Sequence, residues 1–284
     1  MSKIILLGAS GFVGKALTPL LEAAGLTFVA PSSKTLNLAD ASAVAAIAAL
    51  VEDGDSVMML SAYTPEKGDA GELAIKNILM VKHLLAGIKD RALMQCIYVS
   101  SDAVYPLSAD SIDEQTPPCP YDLYGQMHLA REQYLRSSIA PDKLAILRPC
   151  AIYGAGDTHN SYGINRFVRT SLAAGEITLF GGGEEYRDHV HVGDVARLIL
   201  AVHQQQFAGV LNIASGRSWR FGDIAACIKA RAEREVRIIH KPRAMAITHR
   251  HFNITKLLRQ FPNQRPCGID AGIEALLKTS AVAA

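Results

Sequence analysis

Long apolar runs are missing from this chain: nowhere do its residues approach the roughly 18 uninterrupted apolar positions of a membrane helix. The one early run, Ile4 to Leu7, is cut short by Gly8 and is too brief for a secretory signal core. Paired cysteines are missing too. Cys96, Cys119, Cys150, Cys227 and Cys267 are odd in number, scattered and without a CxxC spacing, which excludes a disulfide framework and leads us to expect reduced thiols in a cytoplasmic protein. Net charge is scarce. At +2 it predicts no bulk attraction to nucleic acid, and the missing apolar runs lead us to expect no membrane partner. What is present is ordinary: 49% hydrophobic and 20% charged residues over 284 positions, enough apolar surface to exclude disorder and to build one large or two smaller domains.

The small net charge hides an asymmetry. Residues 215–265 hold 12 Lys or Arg against 3 Asp or Glu, leaving 17 basic and 24 acidic residues elsewhere. Such a segment is either a solvated face or the wall of a pocket for an anion such as a diphosphate, where arginine forks match phosphate oxygens. A nucleic-acid patch is the weakest reading, because no aromatic-interleaved motif accompanies the charge.

In the first half, short apolar runs alternate with helical periodicity. The pattern predicts strands at 3–7, 27–30, 56–60, 95–100 and 144–147, and helices at 13–24, 41–51, 71–87 and 124–138. Continuous apolar strands alternating with helices imply a parallel sheet covered on both faces, hence a doubly wound α/β fold of Rossmann type. Later the pattern loosens, with helices expected at 165–174, 192–204 and 221–232, then a tail rich in Pro and Arg. We read residues 1–155 as a dinucleotide-binding domain and 156–284 as a small substrate lobe, part of which could return to the sheet.

Gly8-Ala9-Ser10-Gly11-Phe12-Val13-Gly14 lies between the first strand and the first helix. Glycines there permit a tight turn, close backbone approach to a pyrophosphate and close helix–strand packing, while the helix start offers unpaired N–H groups to phosphate. Dinucleotide binding by Gly8, Ser10, Gly11, Phe12, Val13 and Gly14 follows; the bland alternative is a simple turn.

This GxxGxxG spacing resembles the short-chain dehydrogenase/reductase superfamily, and more narrowly its extended branch acting on nucleotide sugars. Ile97 to Tyr105 resembles that branch's strand-end serine motif, and Asp113-Glu114, Pro117-Pro118 and Pro120 precede Tyr124-Gly125 as they do there. Leu147-Arg148-Pro149 with Ile152-Tyr153-Gly154, then Arg187-Asp188-His189-Val190-His191-Val192-Gly193-Asp194-Val195, and Leu211-Asn212-Ile213 follow in the order of the family. The resemblance spans nearly the whole chain.

It implies an enzyme that transfers hydride between nicotinamide and a sugar carbon. The acid that grips the ribose 2′-hydroxyl in NAD-dependent relatives belongs at the end of the second strand. This chain reads Ala30-Pro31-Ser32-Ser33-Lys34, with no carboxylate to repel a 2′-phosphate, so NADP is preferred over NAD. By the same resemblance Asp40 lies near the adenine, or else caps the next helix, while Ala62 and Pro149 touch the cofactor. Tyr124 takes the place of the catalytic tyrosine and Ser101 that of the oxygen-holding serine. The lysine expected four residues after the tyrosine is His128. Choosing Tyr121 instead would put Gly125 at that position, so the register stands. A lysine would lower the phenol's pKa from near 10; an imidazole could bind the ribose and, when protonated, favour the tyrosinate.

For the substrate, a nucleotide-diphosphate sugar, the resemblance suggests Arg187 at the phosphates, with Asp102 and Asn165 as contacts and Arg166, Phe180, Arg243 and Arg250 as weaker candidates. Asp102 is followed by Ala103 rather than the dehydratases' glutamate, so dehydration is not expected. Asn77 is read as structural and Met58-Met59 as core. His159, His189 and His191 are scattered without a ligand pattern, so no metal is expected. The chain is short and lacks the acid at Ser32-Ser33, which favours a keto-sugar reductase over an epimerase. A non-catalytic NADP-binding regulator and a reductase of non-nucleotide carbonyls are the rivals. The sequence does not fix an oligomeric state; the resemblance suggests a homodimer, for which the helices after Gly71 and Tyr124 are candidates.

Overall fold

The computed structural model describes residues 2–157, 159 and 161–282. Six parallel strands form the main sheet in the order β10-β6-β4-β3-β1-β2: β1 (Ile4–Leu7), β2 (Phe28–Val29), β3 (Ser56–Met59), β4 (Gln95–Val99), β6 (Leu144–Pro149) and β10 (Gly209–Ile213). β1, β3 and β6 are buried along their whole length, as strands covered on both faces must be. On one face α1 (Phe12–Ala23) packs beside α6 (Val192–Gln204), burying Leu17, Leu21, Val195, Ile199 and Val202. On the other, α2 (Ala43–Leu50), α3 (Ala70–Gly87) and α4 (Leu123–Ser138) cover Val57, Met59 and Tyr98 with Ile47, Val81, Leu84 and Leu135. This is the expected doubly wound α/β fold. Its strand order reverses between β1 and β3, which opens a crevice at their carboxyl ends. Among the described residues, no helix is long and apolar enough to cross a membrane.

Two short strands, β5 (Ser111–Ile112) and β13 (His251–Phe252), pair with each other; β7 (Ala151–Tyr153), β9 (Tyr186–His191) and β11 (Ser218–Arg220) form a second small sheet. A separate core gathers α5 (Ile164–Ala174), α7 (Phe221–Arg231) and α9 (Ile269–Val282) around β8 (Glu176–Phe180), with Phe167, Ile177, Ile224 and Ile273 buried. The chain reaches this lobe after β7, returns to the main sheet through α6 and β10, and then leaves again.

The Pro- and Arg-rich tail is more ordered than its composition suggests. It carries β12 (Arg237–Lys241), paired in parallel with β8, then β13 and α8 (Thr255–Gln260) before α9. β12 is fixed by pairing with residues some 60 positions upstream and β13 with residues 140 positions upstream, which local composition does not encode.

Candidate active site

A cleft of about 870 Å³ opens along the carboxyl ends of β1, β3, β4 and β6. The glycine loop forms its floor. Gly8 has φ +105°, and a Cβ there would stand 2.8 Å from the Ser61 amide nitrogen. At Gly14 a Cβ would come within 2.2 Å of the Gly8 carbonyl oxygen, so the helix can sit this close to the strand only without a side chain. No side chain caps the N-terminus of α1, whose first amides are left for an anionic ligand. A dinucleotide fits this cradle, and Gly8, Ser10, Gly11, Phe12, Val13, Gly14, Ser33, Ala62 and Pro149 all line it.

At the β2 end the wall is made by Pro31, Ser33, Leu36, Asn37 and Leu38, with no carboxylate among them. Ser32 lies outside the lining and bonds Thr35, while Asp40 accepts from the Ser42 amide and hydroxyl, turned away from the cleft.

Ser101, Asp102, Tyr124 and His128 meet at the other end. Ser101 closes β4 and accepts from the Ala103 amide, starting the short turn Asp102–Val104. Asp122 caps α4 by accepting from the Gly125 amide. A Cβ on Gly125 would lie 2.1 Å from the Ala103 oxygen, so this glycine sets how closely α4, and with it Tyr124, approaches the serine turn. Protein surroundings push the half-buried Tyr124 phenol up to about 12, against the pull of Arg131.

His128 packs its ring edge-to-face on Tyr124 with centroids 4.6 Å apart. Its Nδ1 lies 2.6 Å from the Tyr98 hydroxyl, and its buried Nε2 has no partner among the described residues. Burial, with help from the Arg131 charge, holds its pKa well below 6.5. The imidazole is therefore neutral at working pH. The expectation of an imidazolium favouring the tyrosinate is corrected: the cation here is Arg131, fully buried, 5.0 Å over the Tyr98 ring, with its guanidinium donating to the Ser61 carbonyl and to Asn77 Oδ1. Tyr124, His128 and Arg131 stand at i, i+4 and i+7 of one helix, a spacing that could have identified Arg131 in advance. Asn77 also bonds Tyr63 through both its amide groups, the structural role expected of it.

Beneath the site, Arg148 and Glu132 form a buried two-pronged ion pair (Nε–Oε1 2.9 Å, Nη2–Oε2 2.6 Å). Glu132 also accepts from Ser100, and Arg148 donates to the Tyr105 hydroxyl, which in turn donates to Asn212. α4, β4, β6 and β10 are thus locked in register.

The remaining candidates divide. Asn165 lines the cleft and accepts from the Gly154 amide; Arg166 lines it too. Arg187 lies outside the lining, donating to the Tyr186 and Thr248 carbonyls and the Thr248 hydroxyl. No residue of 215–265 lines the cleft, which overturns the reading of that segment as its phosphate wall. Four of its twelve basic residues are engaged in ion pairs elsewhere: Arg220 with Asp223, Arg231 with Asp270, Arg237 with Glu176 and Arg243 with Glu184 and Glu185. Arg250 alone reaches the edge, donating to the Asp102 carbonyl. Phe180 packs against Tyr162. His191 is not isolated: ligand atoms of His191, Asp194 and Cys267 lie within 4.8 Å of one another. Both Asp194 oxygens are already engaged, by Arg197 and the Cys267 amide, and His191 accepts from Gly193 at the start of α6. The cluster reads as a hydrogen-bonded helix cap.

Known proteins resemble this chain over most of its length. A 4-epimerase of N-acetyl-alpha-D-glucosaminyl-diphospho-ditrans,octacis-undecaprenol from Escherichia coli is 26% identical over 255 residues, covering 84% of this chain and 75% of its own. An ADP-L-glycero-D-manno-heptose-6-epimerase from Alkalilimnicola ehrlichii is 27% identical over 259 residues, 79% of each chain. The structure of RMD from Pseudomonas aeruginosa complexed with NADPH superposes with a TM-score of 0.85 at 23% identity over the full length of both chains. Residues 4–214 match the profile of the NAD dependent epimerase/dehydratase family, and with its glycine cradle, its serine turn and its cleft tyrosine the chain belongs to that family.

Proposed function

We propose that this chain transfers hydride on a nucleotide-diphosphate sugar, with Tyr124 handling the coupled proton, and that it acts as a keto-sugar reductase using NADP in preference to NAD. The observation that carries this reading is that Ser101, Tyr124 and His128 share one cleft with the glycine loop. When bound, the dinucleotide supplies the hydride donor or acceptor at its nicotinamide. The chain's residues do the rest. Ser101 holds the sugar oxygen, and Tyr124, protonated throughout the neutral range, donates to it as it becomes a hydroxyl. His128 binds the ribose, while Asp102 and Asn165 contact the sugar nucleotide. The carboxylate-free wall at Ser33 supports NADP, and the structural relative with NADPH is consistent with it.

Epimerisation through a transient ketone is the second reading, favoured by the names of the Escherichia coli and Alkalilimnicola ehrlichii relatives. A non-catalytic NADP-binding regulator is the third, favoured by a neutral His128 where the family resemblance leads one to expect a charged lysine. One experiment separates them: purified protein, NADPH and a 4-keto nucleotide sugar, with NADPH oxidation followed optically and the sugar product analysed. Reduction is expected to consume NADPH stoichiometrically and to fall at least about 100-fold in Tyr124→Phe. Inverted sugar without NADPH loss would show the epimerase, and dinucleotide binding without either product the regulator. A homodimer through α3 and α4 is part of the proposal, because these helices lie side by side and carry the exposed Ile75, Leu123 and Tyr134.

A further inference from the structure

We propose that Tyr98 is a positioning residue that fixes the tautomer of His128, leaving Nε2 as an N–H donor turned to the dinucleotide cleft; this rests on the dinucleotide reading of that cleft. Tyr98 stands on β4, fully buried, with its ring stacked on that of His128 at a centroid distance of 6.0 Å. Its hydroxyl and His128 Nδ1 are 2.6 Å apart. One proton lies between them, and chemistry decides which atom owns it. A phenol is a far stronger acid than a neutral imidazole N–H, and a bare imidazole nitrogen is a better acceptor than a phenol oxygen. Tyr98 therefore donates. Burial keeps its phenol from ionising, and the Arg131 guanidinium over the ring polarises the O–H further. Ser100 Oγ donates to Glu132 Oε1, and the 2.6 Å contact of the phenol is the one to His128 Nδ1.

A neutral imidazole has a single N–H, so occupying Nδ1 as an acceptor places that hydrogen on Nε2. Nε2 is buried without a protein partner among the described residues, and His128 lines the cleft. The lysine that the family resemblance leads one to expect is donor-only. A histidine becomes donor-only toward the cleft in one tautomer and acceptor-only in the other, and Tyr98 selects the one that matches a ribose hydroxyl oxygen. The substitution of lysine by His128 is thus accompanied, thirty residues away in sequence, by the hydroxyl that makes it serviceable.

The test is nitrogen NMR of the full chain carrying ¹⁵N-labelled histidine, with His128 assigned by its loss in His128→Gln. The expected result is a protonated Nε2 and a bare Nδ1; a protonated Nδ1 overturns the proposal whatever the activity. Tyr98→Phe should erase the tautomer preference and weaken NADPH binding about tenfold, the weight of one neutral hydrogen bond, with kcat changed less than about twofold. In His128→Gln, whose amide donates without help, adding Tyr98→Phe should change NADPH binding less than about twofold. Equal losses in both backgrounds would mean that Tyr98 only supports the fold. If Tyr98→Phe does not fold, the wild-type spectrum alone decides. Should the protein show the expected tautomer and bind NADPH yet reduce no keto-sugar, the catalytic reading fails and this one stands.

Discussion

At the scale of single residues, the chemistry turns on charge states. Tyr124 could be read from its place in the sequence, and so could the histidine where a lysine is expected. The charge of that histidine could not, because it depends on Arg131 and on burial that only the packing of α4 against β4 creates. Two outcomes follow. With His128 neutral and the Tyr124 phenol near 12, keto-sugar reduction should be flat from about pH 6 to 9, without an inflection near 6.5. The reverse oxidation needs the phenolate and should rise about tenfold per pH unit over the same range. In His128→Lys the oxidation limb should move to lower pH, since a cation beside the phenol favours its ionised form, while the melting temperature should fall because a second cation joins the buried Arg131. Pre-steady-state pH profiles and thermal melts check both. Removing the Glu132 carboxylate as Glu132→Ala should cost about 3–5 kcal/mol in urea unfolding, because it strands the Arg148 guanidinium in the interior.

The elements were legible to the extent that their signals are local. Helical periodicity places α6 at the residues where it is found, and the central strands within two or three positions, because fully buried strands leave an unbroken apolar run. β12 and β13 were not legible: β12 is exposed or half-buried throughout, β13 is only two residues long, and each exists only through pairing with a distant strand. The cleft followed the same rule. The glycine loop was clear from spacing, whereas Arg187, assigned to phosphate by its motif, is held by Thr248 across a contact no local pattern records. α4 yields a prediction at this scale. Gly125→Ala would drive a methyl group into the Ala103 carbonyl and force the helix off the serine turn. Loss of turnover of at least about 100-fold is expected, with dinucleotide affinity, measured by fluorescence titration, kept within about threefold.

For the whole molecule, near-neutral charge is the sum of an acidic first half and a basic lobe, and several of the lobe's arginines close on carboxylates of the same lobe rather than facing the cleft. The cofactor is the natural probe at this scale. At a concentration 100 times its dissociation constant, a ligand of the native state adds about 2.7 kcal/mol, or several degrees in melting temperature for a chain of this size. NADP should shift the melt more than NAD, and Ser33→Asp should reverse the order by setting a carboxylate against the 2′-phosphate. An NAD shift larger than that of NADP in the wild type would overturn the preference.

The return of the chain to the main sheet has a consequence during synthesis. β6 gains its outer neighbour only when β10 pairs Gly209–Ile213 with Ala145–Pro149. A nascent polypeptide halted anywhere before Gly209 presents β6 as a bare, wholly apolar-flanked edge, the kind of edge that recruits other chains. The parallel pairing spans more than sixty residues and so closes slowly. More than sixty residues beyond β6 must be delivered before the central sheet can protect itself, and that interval is where demand for a chaperone should fall.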